Sequence, residues 1–138
     1  MKFKLFTIVA IFSVLVILLI GCKQKGLEGA WIGTEVEGDG GGEWTFTFEG
    51  EKCKIESTDG LWFNMTITLV ENTDAKQAEL EVDDSVMSEA VGLILKSIYK
   101  IEGKKLTIAV NDPQSSDMVP TSFDKSWDNR VFVLERKK

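Results

Sequence analysis

The two cysteines are the strongest nucleophiles in this chain, and they stand in opposite surroundings. Cys22 closes the segment Leu19-Ile20-Gly21-Cys22, at the end of an apolar run from Leu5 to Ile20 broken only by Thr7 and Ser13. Cys53 lies in Lys52-Cys53-Lys54-Ile55-Glu56-Ser57, where strand alternation puts its thiol on the face of Ile55. Free cysteine is among the most buried residue types, so Cys53 reads as a core thiol rather than a reactive one. Lys52 and Lys54 point to the other side of the pleat and lend its thiolate little. There is no histidine. The usual general base, the usual partner of a nucleophilic serine and the commonest metal ligand are therefore missing. Ser85, Ser88, Ser115 and Ser116 have nothing of that kind to activate them.

The remaining polar groups are equally plain. Glu79 and Glu81 alternate with Leu80 and Val82, which is how an outward polar face looks, not an acid-base pair. Asp39 with Glu43, Asp83-Asp84, and Asp112 with Asp117 lack the oxygen-rich spacing of a calcium loop. Gly38-Asp39-Gly40-Gly41-Gly42 lacks the Lys-Ser/Thr and the strand-to-helix setting of a phosphate loop. These residues predict no enzyme, no metal site and no cofactor. Sixteen Lys+Arg against 22 Asp+Glu give a net charge of −6, two units more negative if Lys2 and Lys4 are removed. Such an acidic surface argues against nucleic acid and against electrostatic contact with anionic lipid.

The elements that must position any site read as strand after strand. Alternation and turn residues place strands at 30–37, 43–48, 52–57, 61–71, 78–83, 93–102, 105–110 and 130–136. The glycine cluster, Gly50-Glu51, Asp59-Gly60 and Gly103-Lys104 supply turns, Asn72-Thr73-Asp74 breaks a strand, and 86–91 forms a helical turn or irregular link. A long loop rich in Asp, Ser and Pro covers 111–129. Eight strands with mostly short connections predict an all-β, eight-stranded antiparallel meander closed into a barrel, since a flat sheet would leave one apolar face open. Trp44, Phe46 and Phe48 share one face. Phe46, Phe48, Phe63, Met65, Tyr99 and Phe132 are the candidate interior residues, either enclosing a small hydrophobic ligand or simply filling the barrel. In the first strand Ile32, Thr34 and Val36 alternate as an inward set, which turns Trp31 outward unless the strand starts with a bulge or Trp31 caps the barrel end. Met118, Phe123 and Trp127 in the long loop are candidates for contact with a protein partner.

Lys2 and Lys4, the apolar run and Leu19-Ile20-Gly21-Cys22 together resemble the lipobox of bacterial lipoproteins. That resemblance implies a signal peptide over 1–21, palmitate-type acylation of the Cys22 thiol and cleavage before it. It leaves Cys53 without an intramolecular disulfide partner. An uncleaved anchor is the alternative. The run is short for a span, which needs about 20 apolar residues, and only Lys23 and Lys25 follow as basic residues. Either reading places the domain outside the cytoplasm, tethered to a membrane of the cell envelope through residues 22–26. Lys23 rather than Asp after the cysteine resembles the pattern for outer-membrane delivery in diderm bacteria.

Gly29-Ala30-Trp31 has the Gly-x-Trp pattern of lipocalins and related calycin barrels, in which the tryptophan plugs the closed end. The stretch Ser97-Ile98-Tyr99-Lys100-Ile101-Glu102-Gly103-Lys104-Lys105-Leu106-Thr107-Ile108 resembles a small exported lipocalin-like domain family of planctomycete-type bacteria. Pro120-Thr121-Ser122-Phe123 and Val131-Phe132-Val133-Leu134-Glu135-Arg136 match that family too, although Val119 stands where an arginine is common. The resemblance covers 27–138 and implies a lipocalin-like barrel with Trp31 as its plug. The expected function is that of a membrane-anchored lipoprotein binding a small apolar or amphipathic ligand. The alternative is a filled barrel acting as an interaction or inhibitor module on an envelope protein.

Overall fold

In the computed structural model of the chain, residues 26–38, 42–70 and 75–138 are described. The apolar leader with its expected signal helix, Cys22 and the tether as far as Lys25 lie outside the described residues. Eight strands follow in order: β1 (Gly29–Glu35), β2 (Glu43–Glu49), β3 (Lys52–Ser57), β4 (Trp62–Val70), β5 (Lys76–Ser85), β6 (Ile94–Glu102), β7 (Lys105–Asn111) and β8 (Asn129–Arg136). Each pairs antiparallel with the next, and β1 pairs with β8 to close the barrel. Among the described residues every strand is paired on both sides, which removes the usual site of edge-to-edge aggregation.

The alternation that marks the strands also sets their faces. Trp44, Phe46 and Phe48 of β2 point inward, as do Cys53 and Ile55 of β3 and Met65 and Ile67 of β4. Ala78, Leu80 and Val82 of β5 share that core with Leu106, Ile108 and Val110 of β7. Phe132 and Leu134 complete it from β8. Asn64 pairs with Asp84 but Met65 with Val82, so Asp83 is an extra residue in β5 and kinks that strand, which helps the sheet curl. Between β5 and β6 a short 3-10 helix spans Ser88–Ala90, in agreement with the expected helical turn. Strand β5 runs longer than the expected 78–83. Its end is marked by Ser85, whose hydroxyl donates to the Trp62 carbonyl at 3.0 Å and accepts from the Met87 amide at 3.0 Å.

Strand β1 corrects one expectation. Its inward residues are Trp31, Gly33 and Glu35, not Ile32, Thr34 and Val36. Trp31 is fully buried and its register partner is Phe46. The apolar criterion misread this strand because two of its three inward positions are a glycine and an acid. Val36 instead lies against an outer-wall cluster.

That outer cluster places the long loop. Ile98, Ala109 and Val131 project from the outside of β6, β7 and β8, and Val119 and Phe123 of the loop pack on them. The Lys100 ammonium sits 4.8 Å from the centre of the Phe123 ring. The segment is thus a strap on the barrel wall, and this contact takes up Phe123. Met118 and Trp127 remain exposed.

The two barrel ends differ. Where β1 begins, Leu27 is buried with Trp31, whose Nε1 donates to the Leu27 carbonyl at 2.8 Å. Arg136 lies over the Trp31 ring at 4.2 Å and donates to the carbonyls of Glu28 (2.7 Å) and Gly26 (2.9 Å). The incoming chain is thereby pinned across this end and seals it.

Candidate ligand-binding site

The opposite end, where β5, β7 and β8 meet their loops, holds a cavity of about 290 Å³. Its wall is apolar: Trp44, Ile55, Phe63, Met65, Val82 and Phe132 enclose most of it. Its rim is made by Met87, Ala90 and Leu93 around the 3-10 turn, and by Asp112, Pro113 and Gln114 at the start of the strap. Val86, Met87, Val91, Leu93 and Ile94 leave an exposed apolar collar on the β5–β6 connection beside it.

All six candidate interior residues belong to the core that fills the barrel, but the cavity separates them. Phe63, Met65 and Phe132 line it; Phe46, Phe48 and Tyr99 do not. Phe46 packs 5.1 Å from Phe132 and 6.4 Å from Phe48, ring centre to centre. Burial raises the Tyr99 hydroxyl above its ordinary pKa, as it does far more strongly for the Cys53 thiol. An eight-stranded barrel is just wide enough for side chains to fill it, and this one is packed in one part and open at the cavity.

The polar part of the cavity comes from residues that alternation by hydrophobicity passes over. Arg130 opens β8 on the same face as Phe132 and Leu134, and it lines the cavity. Its guanidinium lies 5.6 Å from the ring centres of both Trp44 and Phe132, which themselves meet edge to face at 5.4 Å and 75°. Glu35, its side chain only 6% exposed, is the counter-charge. Arg130 Nε donates to Glu35 Oε1 at 2.7 Å, and Nη2 donates to the same oxygen. Glu35 Oε2 faces Lys125 Nζ at 3.8 Å. One carboxylate is therefore shared by two cations. Counting residue parity back from Phe132 to Arg130 was the available sequence signal for this group.

Trp44 also carries an unusual polar atom. Its indole N–H is buried with no hydrogen-bond partner. Asn111, by contrast, is satisfied: its Oδ1 accepts from the Lys96 amide at 2.7 Å and its Nδ2 donates to the Ser116 carbonyl at 2.6 Å. Among the described residues no group of three or more His, Cys, Asp or Glu could hold a metal ion. Searches for relatives returned nothing: no family model, no curated protein and no solved structure matches the chain.

Proposed function

We propose that this protein is a lipid-anchored, lipocalin-like barrel of the cell envelope that binds a small apolar or amphipathic ligand at its open end. The observation that carries the reading is the cavity of about 290 Å³, walled by aromatic and aliphatic side chains and polar at few points. Ligand sites are commonly apolar concavities of roughly 300–1,000 Å³ with a few placed polar groups. At about 30 Å³ per water-sized group, this volume holds roughly ten non-hydrogen atoms. A sealed end with Trp31 and an open end with the cavity fit the division expected from the Gly-x-Trp resemblance. Acylation of Cys22 would hold the barrel at the membrane, where apolar molecules concentrate.

Native mass spectrometry of the full chain purified from its host tests the ligand reading. The expected result is a co-purified small lipid-like species, with an apolar fluorescent probe brightening in its absence. Neither signal would leave the barrel as a filled scaffold. Metabolic labelling with an alkyne fatty acid tests the anchor: Cys22→Ala should abolish label, and retained label refutes acylation there.

A second reading rests on Met118 and Trp127, which are 70% and 78% exposed on the strap. Exposed large apolar side chains mark contact surfaces when they gather in patches. A photocrosslinker at position 127 that captures one envelope protein in the host would favour an interaction module.

A further inference from the structure

The mouth cluster says more about the ligand than its size, provided the barrel is a ligand carrier as proposed above. We infer that the ligand is a short apolar chain ending in one carboxylate, with that carboxylate seated on Arg130. Glu35, Arg130 and Lys125 sum to one positive charge, because a single buried carboxylate faces two cations. Arg130 lines the cavity with its side chain 42% exposed, so its guanidinium is open to an incoming acid. Glu35 uses only Nε and Nη2 of Arg130, both through one oxygen. A guanidinium has five N–H donors in a planar fork that matches a carboxylate, so donors remain for a second acid. Two further acids border the cavity, Glu89 and Asp112. Glu89 is exposed to water on the 3-10 turn, where its charge is screened, whereas half-buried Asp112, whose Oδ1 accepts from the Gln114 amide at 3.0 Å, keeps its negative charge at the rim. The N–H groups of Arg130 that Glu35 leaves free match one carboxylate. The apolar wall of Ile55, Phe63, Met65 and Val82 takes the chain.

Calorimetric titration of the full chain in phosphatidylcholine nanodiscs, with empty nanodiscs as reference, decides it. Octanoate, octanol and octylamine are the probes, all within the roughly ten non-hydrogen atoms the cavity accepts. Octanoate should bind at least about tenfold more tightly than octanol, the factor that 1.4 kcal/mol corresponds to, and octylamine most weakly. Glu35→Gln should widen the preference for octanoate over octanol, which an ion pair serving only the fold would not do. Arg130→Gln alone strands Glu35 and threatens the fold. The double variant E35Q/R130Q removes both charges and should lose the preference for octanoate over octanol. Equal binding of octanoate and octanol by the parent overturns the carboxylate assignment while leaving the carrier reading intact, as does a preference that survives in the double variant. Binding of none of the three overturns both.

Discussion

Cys53 shows how burial governs chemistry in this protein. It faces Phe48 on one side and Met65 on the other across the ladder, and it is 2% exposed. Burial pushes its thiol far above the ordinary range of about 8.5. The native protein should therefore resist a charged maleimide and react only when denatured. Rapid labelling of the folded form would overturn the strand register of β3. Stability should follow the same proton. The unfolded thiol ionises first, so its contribution is whole below about pH 8.5 and is lost as pH rises above that. Burial shifts Tyr99 in the same direction, adding a loss above its ordinary value of about 10. The denaturant midpoint of the full chain should fall between pH 8 and 10.5, and Cys53→Ala should flatten the first part of that fall. An unchanged slope would mean the thiol is solvated. At the sealed end, Trp31→Ala should cost about 3–5 kcal/mol, the usual range for a buried aromatic. An unchanged midpoint would remove Trp31 as the plug.

Element by element, period-two alternation located every strand and set the faces of β2 to β6 and of β8, because their inward residues are mostly apolar. It failed on β1, where Gly33 and Glu35 occupy inward places. Gly33 is there for geometry: a Cβ would stand 2.1 Å from the Val133 carbonyl oxygen and 2.8 Å from Leu134 Cα. Only a residue without a side chain lets β1 lie this close to β8 where the barrel closes. Gly33→Ala should destabilise by about 1–3 kcal/mol or more, since backbone and not a flexible side chain must yield. Gly50→Ala is the matched control. Its Cβ would meet nothing within 4 Å, and its φ of 59° leaves only the left-handed penalty of about 1–2 kcal/mol. A Gly33→Ala midpoint equal to that of the unsubstituted chain would show that the closure tolerates a side chain. The same blindness to polar inward residues hid the site. Arg130 and Glu35 sit at inward positions that hydrophobic patterning skips, and their pairing spans 95 residues of sequence. Strand β7 reads as a continuous buried run for the opposite reason: Ala109 faces outward but lies under the strap.

At the scale of the whole molecule the barrel is polar in design, with packing at one end and space at the other. The chain enters at the packed end, past Leu27 and under Arg136, so an anchor on Cys22 would leave the cavity pointing away from its own attachment. Packing and space should respond differently to the same substitution. Phe48 is 2% exposed in the filled half, 6.4 Å from Phe46, and does not line the cavity. Phe48→Ala opens a void that no neighbour can fill, so about 3–5 kcal/mol should be lost, a large share of the roughly 5–15 kcal/mol that holds a small domain folded. Phe63 is half-buried and borders the cavity. Removing its ring merges with space already present, so its loss should fall below that range, because less packing is surrendered. The gain should appear in binding instead. Phe63→Ala should accept a longer chain, dodecanoate in place of octanoate, as the cavity extends toward β3, whose Ile55 is its register partner. Denaturant midpoints and chain-length titrations of the two variants measure both effects. If Phe48→Ala and Phe63→Ala cost the same and neither changes the preferred chain length, the two ends of the barrel are energetically equivalent and the cavity is not where the ligand lies.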